Sequence, residues 1–177
     1  MNENEITLAP PVGPDDHIDG PDDAPITLME YGDYQCPYCG QAYPIVKALQ
    51  KELGTSLRLV FRNMPLANVH PHAENAAEVA EAVALQVPFW PIHDALYENQ
   101  RDLSDASLLR YAAGAGADIE KVKEALNGGG PRTRVESDLE NGIRSGVNGT
   151  PTFFVNGVRY DESWDYETFL DYLQELL

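Results

Sequence analysis

Ile26-Thr27-Leu28-Met29-Glu30-Tyr31, followed after four residues by Cys36-Pro37-Tyr38-Cys39 and then by Ala42, Ile45, Val46, Leu49 and Leu53, is the stretch that decides the fold. In a strand the first run places Ile26 and Leu28 on one face and Met29 and Tyr31 on the other, so both faces can be covered. The later apolar residues recur at helical spacing, and Gly54 supplies a stop, so a helix is predicted from about Cys36, kinked at Pro44. The only two cysteines in 177 residues thus stand at a strand-to-helix junction.

That position carries chemistry. Only a thiolate attacks a disulfide, and the unpaired N–H groups and positive dipole end of a helix N-terminus favour an anion. Cys36 is therefore the predicted nucleophile, and Cys39, one turn on and on nearly the same face, the predicted resolving thiol. Two other readings are weaker. Zinc bound by the pair with His70 and His72 lacks the usual finger spacing, and a purely structural disulfide would close too short a loop to restrain the unfolded chain. Glu30 falls on the Ile26/Leu28 face, where a partly desolvated carboxyl with a raised pKa can exchange a proton with a buried thiol.

Outward from this centre, residues 1–24 form an acidic, Pro/Gly-rich arm expected to lie mostly outside the core, with a short edge strand near His17 and Ile18. Leu57 to Arg62 alternates as a second strand, with Leu57, Leu59 and Phe61 on its more buried side. Strand, helix, strand implies a parallel pair with a right-handed crossover.

From Pro71 to Val147 the pattern is helical throughout, beginning with a stripe from Ala73 to Val87. Further helices are predicted near Trp90–Tyr97, Ser104–Ala113, Asp118–Leu126 and Pro131–Gly146, with Ser104 and Asp118 as N-caps. His70 and His72 read as capping or surface residues. His93 and Trp90 read as packing, and Phe89, Trp90 and Tyr38 alternatively as an apolar groove for unfolded substrate. Thr152-Phe153-Phe154-Val155, Asn156-Gly157 and Val158-Arg159-Tyr160 spell a hairpin. A last helix from about Trp164 to Leu177 closes the fold, with Phe169, Leu170, Leu173 and Leu177 inward.

A strand, Cys-X-X-Cys, a helix, an inserted helical lobe, and Gly149-Thr150-Pro151-Thr152 before a hairpin together resemble the DsbA-like family of thioredoxin-fold proteins, over nearly everything after about residue 16. The resemblance implies an α/β thioredoxin fold split as 25–66 and 147–177 around an inserted helical domain, 67–146. It implies that Cys36 and Cys39 are the attacking and resolving thiols, that Pro151 is a cis proline facing them, and that Glu30 is the buried acid serving the second thiol. It also implies that Pro44 kinks the active-site helix, and that Thr150 offers backbone groups to an extended segment of a partner. Pro37-Tyr38 departs from the Pro-His pair of strongly oxidising members and looks more like glutaredoxins; Tyr38 supplies no imidazolium to Cys36, so a less oxidising couple is expected.

The expected activity is protein thiol-disulfide exchange through a Cys36 mixed disulfide resolved by Cys39, with protein thiols or disulfides as substrates, a separate redox partner, and no metal or organic cofactor. Two alternatives compete with it: glutathione-dependent, glutaredoxin-like reduction, and a peptide-binding or chaperone module in which the cysteines are incidental. A formal charge of −17, from 29 acidic and 12 basic residues, argues against nucleic acid and anionic membranes as partners, and shows no basic clamp for anionic glutathione. No apolar run is long enough to span a bilayer, and Met1-Asn2-Glu3-Asn4-Glu5 lacks the features of a signal peptide. A cytoplasmic location is expected, or an extracytoplasmic one if a leader has been removed.

Overall fold

A computed structural model describes residues 5–177. The chain runs β1 (His17–Asp19), β2 (Ile26–Gly32), α1 (Pro37–Leu53), β3 (Leu57–Asn63), five helices α2 (Ala73–Ala84), α3 (Phe89–Glu98), α4 (Asp105–Gly114), α5 (Ile119–Gly128) and α6 (Gly130–Arg144), then β4 (Thr152–Val155), β5 (Val158–Tyr160) and α7 (Tyr166–Gln174). The strands form one sheet in the order β1-β3-β2-β4-β5. β2 and β3 are parallel, with Glu30 beside Phe61; β4 is antiparallel to β2, with Phe153 on the other side of Glu30. Asn156 and Gly157 both take positive φ, which suits a two-residue hairpin turn between β4 and β5.

One face of the sheet packs on α1 and α7 through Ile26, Leu28, Leu59 and Phe153 against Val46, Leu49, Phe169 and Leu173. The other gathers Met29, Tyr31, Val60 and Phe154 with Leu8 and Val147. β2 is covered on both faces because strands flank it in the sheet and helices and chain lie above and below it, as its near-continuous apolar run predicts. A third cluster, built on α2 to α5, takes in Phe61, Tyr34 and both cysteines. The helical region therefore packs directly on the Cys-X-X-Cys turn.

Several expectations need correction. The arm lies mostly outside the core, as expected, but it is fastened to it. Leu8 is buried, Thr7 bridges to Val158, and the Arg62 guanidinium donates to both Asp16 carboxylate oxygens at 2.8 and 2.9 Å and to the Pro10 and Pro11 carbonyls. Its isolated apolar residues and acids find partners only once the sheet exists. For the same reason β3 has no exposed face: Val60 and Arg62 are as buried as Leu59 and Phe61, because the arm lies over them. The part of the arm from Met1 to Asn4 lies outside the described residues.

Ser104 occupies an N-cap position, but its hydroxyl donates to the Asp102 carboxylate and accepts from no helix N–H, whereas Asp118 caps Lys121 N–H as expected. Helix α7 ends at Gln174, so Leu177 lies beyond its last turn and is exposed. Phe89 is buried and stacks on His17 with ring centroids 3.7 Å apart, so it is packing and not groove.

A polar knot locks the helices to the sheet edge. Asn63, at the end of β3, donates to Glu81 of α2 at 2.8 Å and to Asp138 of α6 at 2.9 Å, and His17 of β1 meets Glu81 at 2.9 Å. Each of these groups is buried or nearly so, and buried polar groups are tolerated when partnered.

Candidate active site

The β2-to-α1 turn is shaped by Asp33. Its carboxylate accepts from Gln35 N–H at 2.8 Å and Cys36 N–H at 3.1 Å with one oxygen, and from Leu66 N–H at 2.9 Å with the other, which also pairs with His70 Nδ1 at 2.8 Å. Acceptance two and three residues on is a common short-range habit of Asp side chains. Cys36 then takes the N-cap position and Pro37 the first helical one, where a missing N–H costs nothing. The helix continues through Pro44 to Leu53. From the far side Gln100, between α3 and α4, donates to the Cys36 carbonyl at 2.6 Å and the Tyr34 carbonyl at 3.0 Å.

The two thiols differ sharply. Cys36 is held down to about 5, first by a hydrogen bond from the Cys39 thiol, against the opposing effect of burial, and then by the Thr150 hydroxyl and the Cys39 and Tyr38 N–H groups. Cys39, wholly buried, is pushed well above the ordinary thiol value by burial, by its bond to Cys36 and by the charge of Glu30. At neutral pH the pair is one thiolate backed by one thiol.

Thr150 and Pro151 lie across from Cys36. The Thr150 carbonyl is 3.5 Å from its sulfur, within reach of a thiol donor, and the Thr150–Pro151 peptide bond is cis. The Thr150 hydroxyl is buried and has no protein partner meeting full hydrogen-bond geometry, which leaves it free to turn toward a thiolate. Tyr38, between the two cysteines, is exposed, and so is Val69 in the loop that His70 fastens to Asp33.

Glu30 lies beneath, 3% exposed, pushed up to about 8 by burial and by the negative charge of Cys36. One of its carboxyl oxygens has no partner. The structure thus brings Cys36, Cys39, Glu30, Pro37, Tyr38, Thr150 and Pro151 into one neighbourhood at the end of β2.

Asp33, His70, Gln100 and Tyr97 also belong to this neighbourhood, and the sequence reading missed them. The Asp33-X-X-Cys36 spacing is a local signal for Asp33. His70, read as a capping or surface residue, braces the active-site turn instead. Gln100 and Tyr97 lie about 60 residues from the cysteines, and nothing local marks them.

An N-terminal helical thiolate, a buried partner thiol and a facing Thr-Pro segment on a mixed sheet define a thioredoxin-fold dithiol site. A thioredoxin family model matches residues 13–175, and the chain belongs to that family. BdbD from Bacillus subtilis, in its oxidised form, is 27% identical and superposes with a TM-score of 0.81 over 91% of this chain and 92% of that one. A thioredoxin-like oxidoreductase from Silicibacter pomeroyi, 24% identical, gives 0.80 over 92% of each chain, and alpha-DsbA1 from Wolbachia pipientis, 21% identical, gives 0.79 over 94% and 92%. These two similarities speak to the fold.

Among curated sequences the chain is 45% identical over 168 residues to Na(+)/H(+) antiporter NhaA 1 of Salinispora arenicola, a match covering 94% of this chain and 26% of that protein. The chain spans about a quarter of the length of such relatives. Among the described residues no helix is long and apolar enough to cross a membrane.

Proposed function

We propose that the chain is a thiol-disulfide oxidoreductase that exchanges disulfides with protein substrates through Cys36, with Cys39 resolving the mixed disulfide. The observation that carries this reading is the contrast within the pair: Cys36 near 5 is a thiolate at neutral pH, while Cys39 stays protonated behind it.

In the reducing direction the Cys36 thiolate attacks one sulfur of a substrate disulfide. A Cys36–substrate bond forms, the substrate S–S bond breaks, and the second substrate sulfur leaves as a thiolate. Cys39 then gives its proton to the Glu30 carboxylate and attacks the Cys36 sulfur. The Cys36–Cys39 disulfide forms, the mixed disulfide breaks, and the remaining substrate sulfur leaves as a thiolate that takes up a proton. The chain has lost two electrons and the substrate has gained them. The reverse sequence oxidises a substrate dithiol.

Glu30 is suited to its role by a change of charge. Once Cys36 is bonded to substrate its negative charge is gone, one of the two causes that hold Glu30 up is removed, and the carboxyl ionises more readily when a base is needed. Thr150 and Pro151 would present backbone to an extended substrate segment, with Pro37 and exposed Tyr38 on its other side. In this reading 25–66 and 147–177 form the thioredoxin-like unit, and the helical domain 67–146 supplies Gln100 and Tyr97 to the site. The antiporter name describes proteins about four times the matched length, and no transport is proposed here.

The test is trapping. Cys39→Ser should accumulate a Cys36 mixed disulfide with a cystine-containing peptide, and Cys36→Ser should form none. An unreactive wild-type pair, or equal trapping by both variants, sinks the proposal.

A further inference from the structure

Six buried side-chain polar atoms among the described residues have no hydrogen-bond partner, and three of them, Glu30 Oε1, Tyr97 Oη and Thr150 Oγ1, belong to residues in the neighbourhood of the two thiols. A buried polar group without a partner costs about 1–3 kcal/mol, so such a concentration calls for a use. Glu30 and Thr150 have one in the mechanism above. Tyr97 does not.

Its position is specific. Tyr97 comes from α3, not from the strands or the cysteine helix, and its hydroxyl presses on Gly32: a Cβ there would lie 2.7 Å from Tyr97 Oη and 2.5 Å from Phe61 Cε2. Gly32 follows Glu30 by two residues in β2, so the hydroxyl reaches the sheet on the face that carries Glu30. The ring is fixed independently, with centroids 4.9 Å from Tyr34 and 5.3 Å from Tyr43, in the cluster that includes Cys39. Burial and the charges of Cys39 and Glu30 keep this phenol protonated, and so a donor.

We propose that Tyr97 is a positioning residue for the resolving step, its hydroxyl donating to the single negative charge that Glu30 and Cys39 share while a proton passes between them. The role rests on the thiol-disulfide exchange proposed above. It balances without a further reactant: the proton leaves Cys39 sulfur for Glu30, the Tyr97 proton stays on its own oxygen, and only the hydrogen bond strengthens. It also gives the helical domain a part in the chemistry, because α3 sets where the hydroxyl sits.

The experiment is single-turnover reduction of a fluorogenic disulfide peptide by the reduced protein, resolving attack by Cys36 from the later release of the peptide thiol. Tyr97→Phe keeps the ring contacts and removes the donor. Release should slow about ten-fold, as expected for a lost hydrogen bond to a charged group, and its pH midpoint should rise, while attack keeps its rate. In the Glu30→Gln background the same change should cost nothing further.

Unchanged release, equal slowing of both phases, or multiplying effects in the double variant would each overturn the role. If Tyr97→Phe does not fold, 3-fluorotyrosine at position 97 makes the donor more acidic without removing it, and a release midpoint that does not move overturns the proposal. The two proposals fail separately. A silent Tyr97→Phe with Cys39→Ser still trapping a mixed disulfide refutes only the Tyr97 role, whereas no trapping refutes both.

Discussion

Replacing Glu30 by Gln should stabilise the reduced protein at pH 8 and leave it nearly unchanged at pH 4.5. The carboxyl is 3% exposed and titrates near 8 in the folded chain, against an ordinary 4.5. Between those values the unfolded state has released a proton that the folded state keeps, so the unfolded state binds fewer protons and stability falls as pH rises. At about 1.4 kcal/mol per pH unit the interval amounts to about 5 kcal/mol at most, present in full above pH 8. Gln resembles the neutral acid in size and removes the titration.

Cys36 works in the opposite sense in the reduced protein. Its folded value near 5 lies below the ordinary 9, so between these limits the unfolded state binds more protons and stability grows with pH. From pH 5 to 8 the two slopes nearly cancel in the wild type, and they should separate in Glu30→Gln, whose stability ought to climb by up to about 4 kcal/mol over that range. Guanidinium unfolding under a reductant at pH 5, 6, 7 and 8 measures both chains. Parallel curves for wild type and variant would refute the reasoning. In a Cys36→Ser background the charge that helps hold Glu30 up is missing, so adding the Glu30→Gln change there should shift stability by less.

Three further outcomes follow from the same geometry. Alkylation of Cys36 by iodoacetamide should show a midpoint near pH 5, and Thr150→Val, which deletes a hydroxyl that lowers the Cys36 pKa, should raise that midpoint. With Cys36 between the values of about 7 and 3.5 found for thioredoxin and DsbA, the couple should have a reduction potential between about −270 and −120 mV, measured against glutathione; a value at the oxidising end would show that Tyr38 does not moderate the pair. Asp16→Ala strands the Arg62 guanidinium under the arm and should cost about 3–5 kcal/mol by chemical unfolding; a loss under about 1 kcal/mol would mean the arm is not part of the core.

What could be read ahead of the structure was the part of the chain whose instructions are local. The β2 run, the Cys-X-X-Cys start of α1, the five following helices and the Asn156-Gly157 turn all announce themselves by period or turn chemistry within ten residues or so. The misreadings share one cause. Arg62 and Asp16 are 46 residues apart, and each looks like a solvated charge until the other is placed, so the Val60/Arg62 face of β3 reads as the less buried one. Leu177 shows the converse, an apolar residue at helical spacing left in solvent because the helix ends three residues earlier.

The site divides in the same way. Cys36, Cys39 and Glu30 lie within ten residues of one another, and the roles proposed for them follow from a strand face and a helix end. The difference between the two thiols does not. It depends on burial by the helical cluster and on Thr150, which lies just before β4 and more than 100 residues from Cys36. Thioredoxin-like strands alone would present a Cys-X-X-Cys turn. The helices packed over it exclude water from Cys39 and Glu30, and that burial is the leading cause of both groups' upward shifts. In the proposed exchange, the helices α2 to α5 would therefore help to set which thiol attacks and when the other gives up its proton.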